Sequence, residues 1–581
     1  MCGISGIYLR QNKNKEKLKE IVEKMNQFQI RRGPDGDGIF IDESNGLIFG
    51  HRRLSIIDLS GAGKQPMQFG DLWITFNGEI YNFLELKKNL EKKGYKFTTK
   101  TDTEVILALY AEYREESFSM LRGMFAFALW DNRNKKLFLV KDRYGIKPLY
   151  YYADSEKLVF ASMVKAVIES GIVPVQKKSD AYIGFLLFGS VPLPMTTYKD
   201  IFGLPAGHYL EFDESGNKKL VKYYDFLLAF QNKEKVDFKN VKRKISSLLE
   251  DSINHHLISD APLGVFLSGG LDSSAIAALA AKAKSDKIKT LSIIFNEPEF
   301  SEQKYQRLVA EKIKSDHQEI KITKNDFFDS FSEIFEAMDQ PTIDGVNTFF
   351  ISKSAKEAGL KVVLSGLGAD EIFCGYSSFR KAEVLRKIQN LPKFLKSSLD
   401  LASLFNGRYQ KLNYLKNSDI LSFYLSIRGL FMPQEAAQIL GVNLSEVEGF
   451  INELRGNIET GAANLRPVDL LSYLELKFYL QNQLLKDTDF MSMHHSIEVR
   501  VPFLDHPLVE YLSSLPPEIK LGGDINKALL AGAVKNSLPQ EIFSRPKMGF
   551  TFPFEKWLKK EKPFSGHWSR HWAKEVLNKF N

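Results

Sequence analysis

The sequence has only two cysteines in 581 residues, Cys2 and Cys374, and this scarcity argues against a disulfide scaffold. It also lacks any charge-free run of the ~18 to 20 apolar residues that cross a bilayer, and we expect no signal peptide ahead of Cys2. The most apolar stretch, 181–195, contains two glycines and two prolines, which predicts a short buried helix followed by an extended connection. We therefore expect a cytoplasmic protein without a membrane anchor.

Blocks of like charge, internal repeats and low-complexity segments are also absent. The formal net charge is +8, but the lysines are spread along amphipathic helices such as 12–24 and 83–93. A scattered excess of this kind is typical of a solvated surface, so we do not expect nucleic acid as the main partner. At 581 residues and 44% hydrophobic content, the chain is too long for one core and predicts two or more domains.

The most informative residue that is present is Cys2, directly behind the initiator methionine. Removal of Met1 would leave Cys2 with a free α-amine, whose unperturbed pKa is about 8. That amine lies close enough to the thiol to take its proton, directly or through one water. Such a thiol can attack an amide carbonyl. Taken alone, a cysteine at this position is more often an ordinary free cysteine.

Four short segments behind Cys2 favour the nucleophile, because they occur together and in a characteristic order. They are Arg31-Arg32-Gly33-Pro34-Asp35-Gly36, Gly50-His51-Arg52-Arg53-Leu54-Ser55-Ile56, Phe76-Asn77-Gly78-Glu79-Ile80-Tyr81-Asn82 and Thr101-Asp102-Thr103-Glu104. The set resembles the glutaminase domain of the class II, N-terminal-nucleophile glutamine amidotransferases. The resemblance implies that Cys2 is the catalytic residue that releases ammonia from L-glutamine.

Each matched residue has a physical role if glutamine is the substrate. Arg53 offers a planar fork of donors to the α-carboxylate, while Glu79 and Asp102 offer negative charge to the α-ammonium. Asn77, through its side-chain amide, and Gly78, through its backbone N–H, can donate to the oxyanion that forms when the thiolate attacks. The predicted glutamine-binding residues are Arg53, Ile56, Asn77, Gly78, Glu79 and Asp102.

A change of pattern near residues 205–240 divides the chain. Before it, short alternating strands and a few helices predict two antiparallel sheets between helix layers, the αββα architecture that the resemblance implies. After it, strands alternate with Gly-rich turns and helices, which predicts an α/β domain with a parallel sheet and helices on both faces. We predict a glutaminase domain at 2–205, a connecting segment at 206–239 and a second domain at 240–581.

The second domain carries the string Phe266-Leu267-Ser268-Gly269-Gly270-Leu271-Asp272-Ser273-Ser274 between a predicted strand and a predicted helix. Its glycines let backbone N–H groups converge on an anion, its serine hydroxyls add donors, and the helix N-terminus adds favourable polarity. It lacks the lysine and the spacing of a Walker A loop. It resembles instead the pyrophosphate loop of the ATP pyrophosphatases, which split ATP between the α and β phosphates to make AMP esters. The predicted ATP-binding residues here are Leu267, Ser268, Gly269, Gly270, Leu271, Asp272, Ser273 and Ser274.

Further segments extend the predicted ATP site. Asp272 suits Mg²⁺ better than a bare phosphate, and Asp370 is the second metal candidate. Asp370 follows Ser365-Gly366-Leu367-Gly368-Ala369, of which Ser365 and Gly366 are predicted to bind ATP. The resemblance implies that the strand 291–295, with Ile293, offers backbone groups to adenine. Lys547 is predicted to stabilise a pentavalent phosphate or a tetrahedral intermediate with its point charge.

Two more segments, 484–493 and 498–505, resemble the synthetase domain of the glutamine-dependent asparagine synthetases. With them the resemblance covers nearly the whole chain, from Cys2 to roughly Trp557. It implies that ammonia from the first domain attacks a carboxylate that the second domain has activated as an acyl-adenylate. It also implies a homodimer and an internal ammonia tunnel. An apolar tunnel lining would keep ammonia unprotonated and away from bulk water.

Three positions depart from the family pattern and concern the acceptor acid. Leu367 stands where well-characterised members have Glu, Gln340 stands where an acidic residue often follows Asp339, and Phe490 stands where Arg is common. These changes leave adenylation intact. They leave the identity of the acceptor open.

Two acceptors are compatible with these residues. Aspartate is favoured, with Glu371 or Asp344 replacing the missing carboxylate. The alternative is another acid, such as the uronate of a nucleotide sugar for a surface polysaccharide, whose binding would need positive charge that residues 380–416 can supply. A catalytically silent regulatory homologue is a third reading, and the intact Cys2, 268–274 loop and Asp370 argue against it.

Overall fold

The computed structural model of the chain describes residues 2–10, 15–234, 238–396, 407–456, 458, 460–523, 525–545, 548–549, 552–561 and 567–580. Within these ranges the chain forms two domains, each with its own sheets. The first domain contains strands β1 Gly3–Leu9, β2 Gly36–Asp42, β3 Leu47–Arg53, β4 Met67–Phe69, β5 Leu72–Ile80, β6 Gly123–Asp131, β7 Lys136–Lys141, β8 Tyr150–Ala153, β9 Lys157–Ala161, β10 Ile201–Gly203, β11 His208–Asp213 and β12 Lys218–Lys222. Its helices are Lys15–Phe28, Phe83–Lys92, Asp102–Tyr113, Ser117–Met120, Val164–Glu169 and Ser179–Phe188.

These strands form two six-stranded antiparallel sheets, ordered β10-β8-β9-β1-β3-β2 and β12-β11-β7-β6-β5-β4. Alternation along the strands places Ile4 and Phe49 of the first sheet and Trp130 of the second in one apolar cluster between the sheets. Helix Lys15–Phe28 covers the outer face of the first sheet, and helix Asp102–Tyr113 covers that of the second. The αββα layering predicted from the sequence is therefore confirmed.

The hairpin formed by β11 and β12 pairs with β7 at the edge of the second sheet. It lies inside the segment 206–239 that the sequence pattern treats as a connection. Phe212 of this hairpin is fully buried between the two sheets. The packing of the first domain thus continues to residue 222.

The second domain is built on a five-stranded sheet in which all strands are parallel. Its strands are β13 Leu263–Phe266, β14 Lys289–Phe295, β15 Asp316–Ile322, β16 Val362–Leu364 and β17 Glu498–Arg500, in the order β15-β14-β13-β16-β17. The helices of this half are Leu227–Gln231, Phe238–His256, Leu271–Ala283, Gln303–Ile313, Lys324–Asp329, Phe331–Ala337, Val346–Glu357, Ala369–Ile372, Ser377–Gln389, Lys393–Lys396, Ile420–Arg428, Pro433–Leu440, Leu444–Gly456, Pro467–Leu474, the π-helix Glu475–Leu484, Leu485–His494, His506–Ser514, Pro517–Leu521, Ala528–Val534, Glu541–Ser544, Phe554–Glu561 and Trp568–Phe580. The predicted parallel α/β sheet is confirmed.

The strand order fixes where a ligand can enter this sheet. The chain runs outward from β13 through β14 to β15, then returns to place β16 and β17 on the other side of β13. Right-handed crossovers place the connecting helices of the two directions on opposite faces. A crevice therefore opens between β13 and β16 at their carboxyl ends, where the loops 267–270 and 365–368 begin.

The two domains share one buried interface. Ile56 and Tyr81 of the first domain lie in the same apolar cluster as Val265 and Val499 of the second. Charged pairs also cross the interface, and one buried pair joins Arg32 to Asp489 at 2.7 Å. Among the helices of the ranges described, none has the length and apolar character needed to span a bilayer.

Candidate active sites

Cys2 lies immediately before β1, the strand that is central in the first sheet, and its side chain is only 7% exposed. Its backbone N–H donates to Asn77 Oδ1 at 2.9 Å, and its carbonyl accepts from Arg32 Nε at 3.2 Å. Burial raises the pKa of the Cys2 thiol, and the nearby Arg53 opposes that rise. Activation of this thiol therefore needs a base beside it, which an exposed α-amine on Cys2 would supply.

The predicted oxyanion donors lie on β5. Asn77 uses its Oδ1 to accept from Cys2, while its Nδ2 is buried without a hydrogen-bond partner among the residues described. Gly78 has φ +153°, and a Cβ added there would stand 2.1 Å from the carbonyl oxygen of Met124 on β6. A side chain at position 78 would push β5 from β6, so glycine is required for this approach. The geometry brings the predicted nucleophile and one free donor together.

Two buried carboxylates stand near the nucleophile. Asp102 accepts from the N–H of Ile80 at 2.9 Å, and burial raises the pKa of its carboxyl to about 6. Glu79 lies 3.6 Å from the guanidinium of Arg500, and burial followed by repulsion from Glu498 raises the pKa of Glu79. Glu79 Oε2 makes no hydrogen bond within the described residues. The α-ammonium group of a bound amino acid would stabilise the ionised form of both carboxyl groups.

The remaining residues predicted to bind glutamine are Arg53, the last residue of β3, and Ile56, in the segment that follows. Arg53 donates from Nη1 to the carbonyl of Ser60 at 2.8 Å and from Nη2 to that of Asp58 at 2.5 Å. Its guanidinium is thus held by its own loop. Ile56 is buried in the interface, and its carbonyl accepts from the N–H of Asp260 in the second domain at 3.0 Å.

The loop after β13 has the geometry expected of an anion cradle. Gly269 has φ +77°, and Gly270 precedes the helix that begins at Leu271. Ser268 and Ser273 are joined through their hydroxyls at 2.9 Å, and Ser268 Oγ also accepts from the N–H of Gly270 at 3.3 Å. These contacts shape the turn so that it leads directly into the helix N-terminus.

A cavity of about 250 Å³ opens between this loop and the loop after β16. Its walls include eight of the predicted ATP and metal residues, namely Leu267, Ser268, Asp272, Ser273, Ile293, Ser365, Gly366 and Asp370. Gly269, Gly270, Leu271 and Ser274 lie in the same turn and in the first residues of the helix that follows it. The segments predicted to form one ATP site therefore meet at one cavity.

Lys527 occupies the space between the two carboxylates predicted to bind Mg²⁺. Its Nζ lies 2.5 Å from Asp272 Oδ2 and 2.6 Å from Asp370 Oδ1, and its side chain is 4% exposed. The two carboxylates converge on one cationic atom, so their arrangement fits a shared cation. The sequence carries no local signal for this contact, because Lys527 lies 255 positions from Asp272. Lys547, the lysine that the sequence pattern favours, falls outside the described residues.

The three departures from the family pattern have different surroundings. Leu367 lines the cavity, whereas Gln340 is buried at the domain interface, where it accepts from the N–H of Thr197 at 2.8 Å. Phe490 is buried in the apolar cluster against the first sheet. Of these three positions, only Leu367 can touch a ligand in the cavity.

A carboxyl remains in the cavity wall despite Leu367. Glu371 accepts from the hydroxyl of Tyr376 at 2.7 Å, and both residues line the cavity. Burial, followed by repulsion from Asp370, raises the pKa of Glu371 to about 7. Asp344, the other residue considered as a replacement, is partly exposed, and desolvation raises the pKa of its carboxyl as well.

One buried ion pair connects the surroundings of Cys2 to the cavity. Arg32, which donates to the Cys2 carbonyl, pairs with Asp489 of helix Leu485–His494. Thr488, the residue before Asp489, lines the cavity, and Lys147 lies 3.9 Å from the same carboxylate. Arg32 and Asp489 both lie in segments that carry the sequence resemblance, but their pairing could not be read from spacing.

Comparison with known proteins finds two family models that match different parts of the chain. The asparagine synthase family model matches residues 244–579, and the glutamine amidotransferase domain model matches residues 1–224. Asparagine synthetase [glutamine-hydrolyzing] 1 of Bacillus subtilis is 34% identical over 97% of this chain and 88% of its own length. A putative asparagine synthetase of Mycobacterium tuberculosis is 32% identical over 93% of this chain and 85% of its own. Amidase chry2 of Gibberella zeae is 26% identical over 96% and 90%, respectively.

Proposed function

The chain belongs to the family of glutamine-hydrolysing asparagine synthetases, ATP-dependent ligases with a glutamine amidotransferase domain, and we propose from this premise how its two sites divide the reaction. The first site hydrolyses glutamine and releases ammonia. The second activates a carboxylate acceptor with ATP, and ammonia converts the activated acid into an amide. The observation that supports this coupling best is the buried Arg32–Asp489 pair, which lies between the nucleophile and the cavity.

In the first site, the α-amine of Cys2 takes the thiol proton once Met1 has been removed. The thiolate attacks the side-chain carbonyl carbon of glutamine, and Asn77 Nδ2 and the N–H of Gly78 stabilise the resulting oxyanion. Collapse of this intermediate expels ammonia with the proton from the amine. A glutamyl thioester remains on Cys2, and water hydrolyses it to glutamate.

The same residues explain how glutamine is held. Glu79 and Asp102 bind the α-ammonium, and Arg53 binds the α-carboxylate. The contact between the nitrogen of Cys2 and Asn77 Oδ1 also orients the α-amine beside its own thiol. Asn77 and Glu79, both on β5, therefore link nucleophile activation to substrate binding.

In the second site, the acceptor carboxylate attacks the α-phosphate of ATP and displaces pyrophosphate. The 267–274 loop holds the departing phosphates through its backbone N–H groups and serine hydroxyls. Asp272 and Asp370 would hold Mg²⁺, whose chemistry here is to neutralise phosphate charge. Lys527 supplies positive charge at the same place. Ammonia then attacks the acyl carbon, and AMP leaves.

Aspartate is the acceptor we favour, with Glu371, a carboxyl group in the cavity wall, replacing the missing one. Leu367 in the cavity wall favours a second candidate, an acid other than aspartate such as a nucleotide-linked uronate. AMP release with glutamine, ATP and Mg²⁺ should be measured with aspartate, with uronic acids, with nucleotide-linked uronates and with no acceptor. AMP with aspartate and equimolar asparagine supports the first candidate, and AMP with sugar acids alone supports the second. The homodimer and the cytoplasmic location stay predictions.

A further inference from the structure

An arginine from the C-terminal part of the chain is bonded to the anion cradle. Arg545 directly follows helix Glu541–Ser544, and its Nη1 donates to the carbonyl of Gly269 at 2.8 Å. Gly269 lies in the turn between β13 and the helix that begins at Leu271. Arg545 does not line the cavity that the described residues form. Its guanidinium therefore contacts the turn without reaching the cavity wall.

The peptide bond between Gly269 and Gly270 has a defined orientation. The two cis peptide bonds of the described chain lie in the first domain, so this bond is trans. In a trans peptide the C=O and the N–H point in opposite directions. The N–H of Gly270 points to Oγ of Ser268, at 3.3 Å, and Ser268 lines the cavity. The carbonyl of Gly269 therefore points away from that hydroxyl and toward Arg545.

The two glycines by themselves do not fix this orientation. A glycine adopts positive and negative φ about equally readily, and both residues of this peptide are glycine. If the peptide turned over, its carbonyl oxygen would face the phosphates in place of its N–H. A carbonyl oxygen repels an anion, whereas an N–H donates to it. A charged donor on the carbonyl of Gly269 favours the productive orientation, because charge-assisted hydrogen bonds are the stronger kind.

Arg545 is itself held in place by the start of helix Gln303–Ile313. Its Nη2 pairs with Glu302, the N-cap residue of that helix, and the two side chains are 7% and 5% exposed. Its Cζ lies 4.2 Å from the ring centroid of Tyr305. A Cβ added to Gly269 would stand 3.1 Å from the Cβ of Tyr305, so the cradle packs on the same helical turn. A buried ion pair and a cation–π contact thus fix the guanidinium against the cradle.

We propose that Arg545 is a positioning residue of the second site, which keeps the carbonyl of Gly269 turned away from the ligand so that the N–H of Gly270 faces the β and γ phosphates of ATP. This inference rests on the proposed function of the second site. Arg545 acts through the peptide and does not touch the substrate. Residue 545 should therefore affect ligands that carry the pyrophosphate group, which are ATP and pyrophosphate itself, and leave adenosine unaffected.

The test separates phosphate binding from adenosine binding. Dissociation constants of ATP, pyrophosphate and adenosine are measured on the full-length chain by isothermal titration calorimetry with Mg²⁺. Arg545→Met should weaken the binding of ATP and pyrophosphate by about tenfold or more, the size of one charge-assisted contact. Adenosine should bind as it does to the wild type. Arg545→Lys should recover part of the loss, because an ammonium group can still donate to the carbonyl. Glu302→Gln should weaken both phosphate ligands to a smaller extent.

Crystal structures of the wild type and of Arg545→Met without nucleotide then examine the peptide itself. The Gly269–Gly270 peptide should have one orientation in the wild type, and in Arg545→Met it should be turned over or present in two orientations. Arg307→Met is the matched control, because Arg307 lies on helix Gln303–Ile313, pairs with Glu319 at 2.7 Å and does not line the cavity. This control should bind all three ligands like the wild type. Unchanged glutaminase activity and unchanged adenosine binding show that both domains of each variant are folded.

The inference is overturned if Arg545→Met weakens adenosine as much as ATP, because a general loss of structure is then the cause. It is also overturned if ATP and pyrophosphate bind equally well to the wild type and to Arg545→Met, or if the wild type binds neither. A peptide that keeps its single wild-type orientation in Arg545→Met overturns it as well. Failure of the proposed function looks different, since pyrophosphate would then bind with the expected dependence on Arg545 while no acceptor supports AMP release.

Discussion

Asn77 accepts the backbone N–H of Cys2 at 2.9 Å, and this single contact determines which end of the amide side chain faces the nucleophile. Because Oδ1 is engaged by Cys2, Nδ2 is turned to the other side, where it is buried without a partner among the residues described. A buried donor without a partner is costly in a resting protein. It becomes favourable when a tetrahedral oxyanion forms.

Replacement of Asn77 by Ala should therefore lower kcat for glutamine hydrolysis by about 10² to 10³, the usual cost of one oxyanion donor. KM should change little, since this donor acts mainly in the transition state. Steady-state glutamate release checks the prediction, with Asn45→Ala as the control, because Asn45 bonds to Asp42 at the far end of β2. A variant in which KM alone changes would assign Asn77 to substrate binding.

Cys2→Ala should abolish glutamine-dependent amide formation and leave ammonia-dependent formation intact, because the second site does not use the thiol. Cys374→Ala is the matched control, as Cys374 is the other free cysteine and is also buried. Amide formation is measured with glutamine and with ammonium chloride as nitrogen sources. Loss of both activities in Cys2→Ala would argue against the division between sites. Intact mass of the wild type should show that Met1 is absent.

The Asp102 carboxyl predicts a pH dependence for glutamine use. It must be ionised to bind the α-ammonium, and its folded pKa is about 6, above the ordinary value of 3.8. kcat/KM for glutamine should fall as the pH drops through about 6, and Asp102→Asn should remove this inflection while lowering kcat/KM. A profile of glutaminase activity from pH 5 to 8 checks this. An inflection that survives in Asp102→Asn would assign it to another group.

The same shift has a consequence for stability, and its sign is opposite to that of a salt-bridged carboxylate. A raised folded pKa means that burial favours the protonated form, so its stabilisation is complete below pH 3.8 and is lost as the pH rises through about 6. At pH 7 the ionised carboxyl costs roughly 3 kcal/mol at about 1.36 kcal/mol per unit. Asp102→Asn should therefore raise the thermal midpoint at pH 7 and change it little at pH 4.

Much of this architecture follows from the sequence because its determinants are local. The alternation in β1 and β5, the glycines of the 268–274 loop and the switch to a strand–turn–helix pattern each depend on neighbouring residues. The contacts across the domain interface are different. Arg32 meets Asp489, and Asp272 meets Lys527, only because distant segments pack together. Charged residues in a helix or turn look alike whether they are solvated or buried, so periodicity could not identify these pairs.

Lys527→Met should impair the second site alone. Without the ammonium, Asp272 and Asp370 would repel each other, and a positive charge beside the phosphates would be lost. AMP release should fall by about tenfold or more, as expected for loss of a charged group in electrostatic catalysis, while glutaminase activity persists. Lys535→Met is the control, because Lys535 is exposed and directly follows helix Ala528–Val534. Unchanged AMP release would show that Lys527 only neutralises the charge of the two carboxylates and takes no part in the reaction.

Removal of one partner of the buried Arg32–Asp489 pair should destabilise the chain. Arg32→Met would leave Asp489 with Lys147 at 3.9 Å as its nearest cation, and broken buried pairs cost about 3 to 5 kcal/mol. Urea unfolding measures the decrease in the free energy of unfolding. Adding Asp489→Leu to the Arg32→Met chain should recover part of that free energy. The ratio of amide formed to glutamate released should also fall, because the pair packs between the sites. A ratio that stays at the wild-type value would show that the pair has a structural role only.

In the proposed reaction, nitrogen leaves glutamine at Cys2 and reaches an acid activated in the second cavity. The most direct measurement uses glutamine labelled with ¹⁵N in its amide, together with ATP, Mg²⁺, the acceptor panel and an excess of unlabelled ammonium. The label should enter the product amide, one per AMP released, with little dilution by the unlabelled ammonium. Label recovered only as free ammonium, or glutamate release with no AMP for any acceptor, would contradict it.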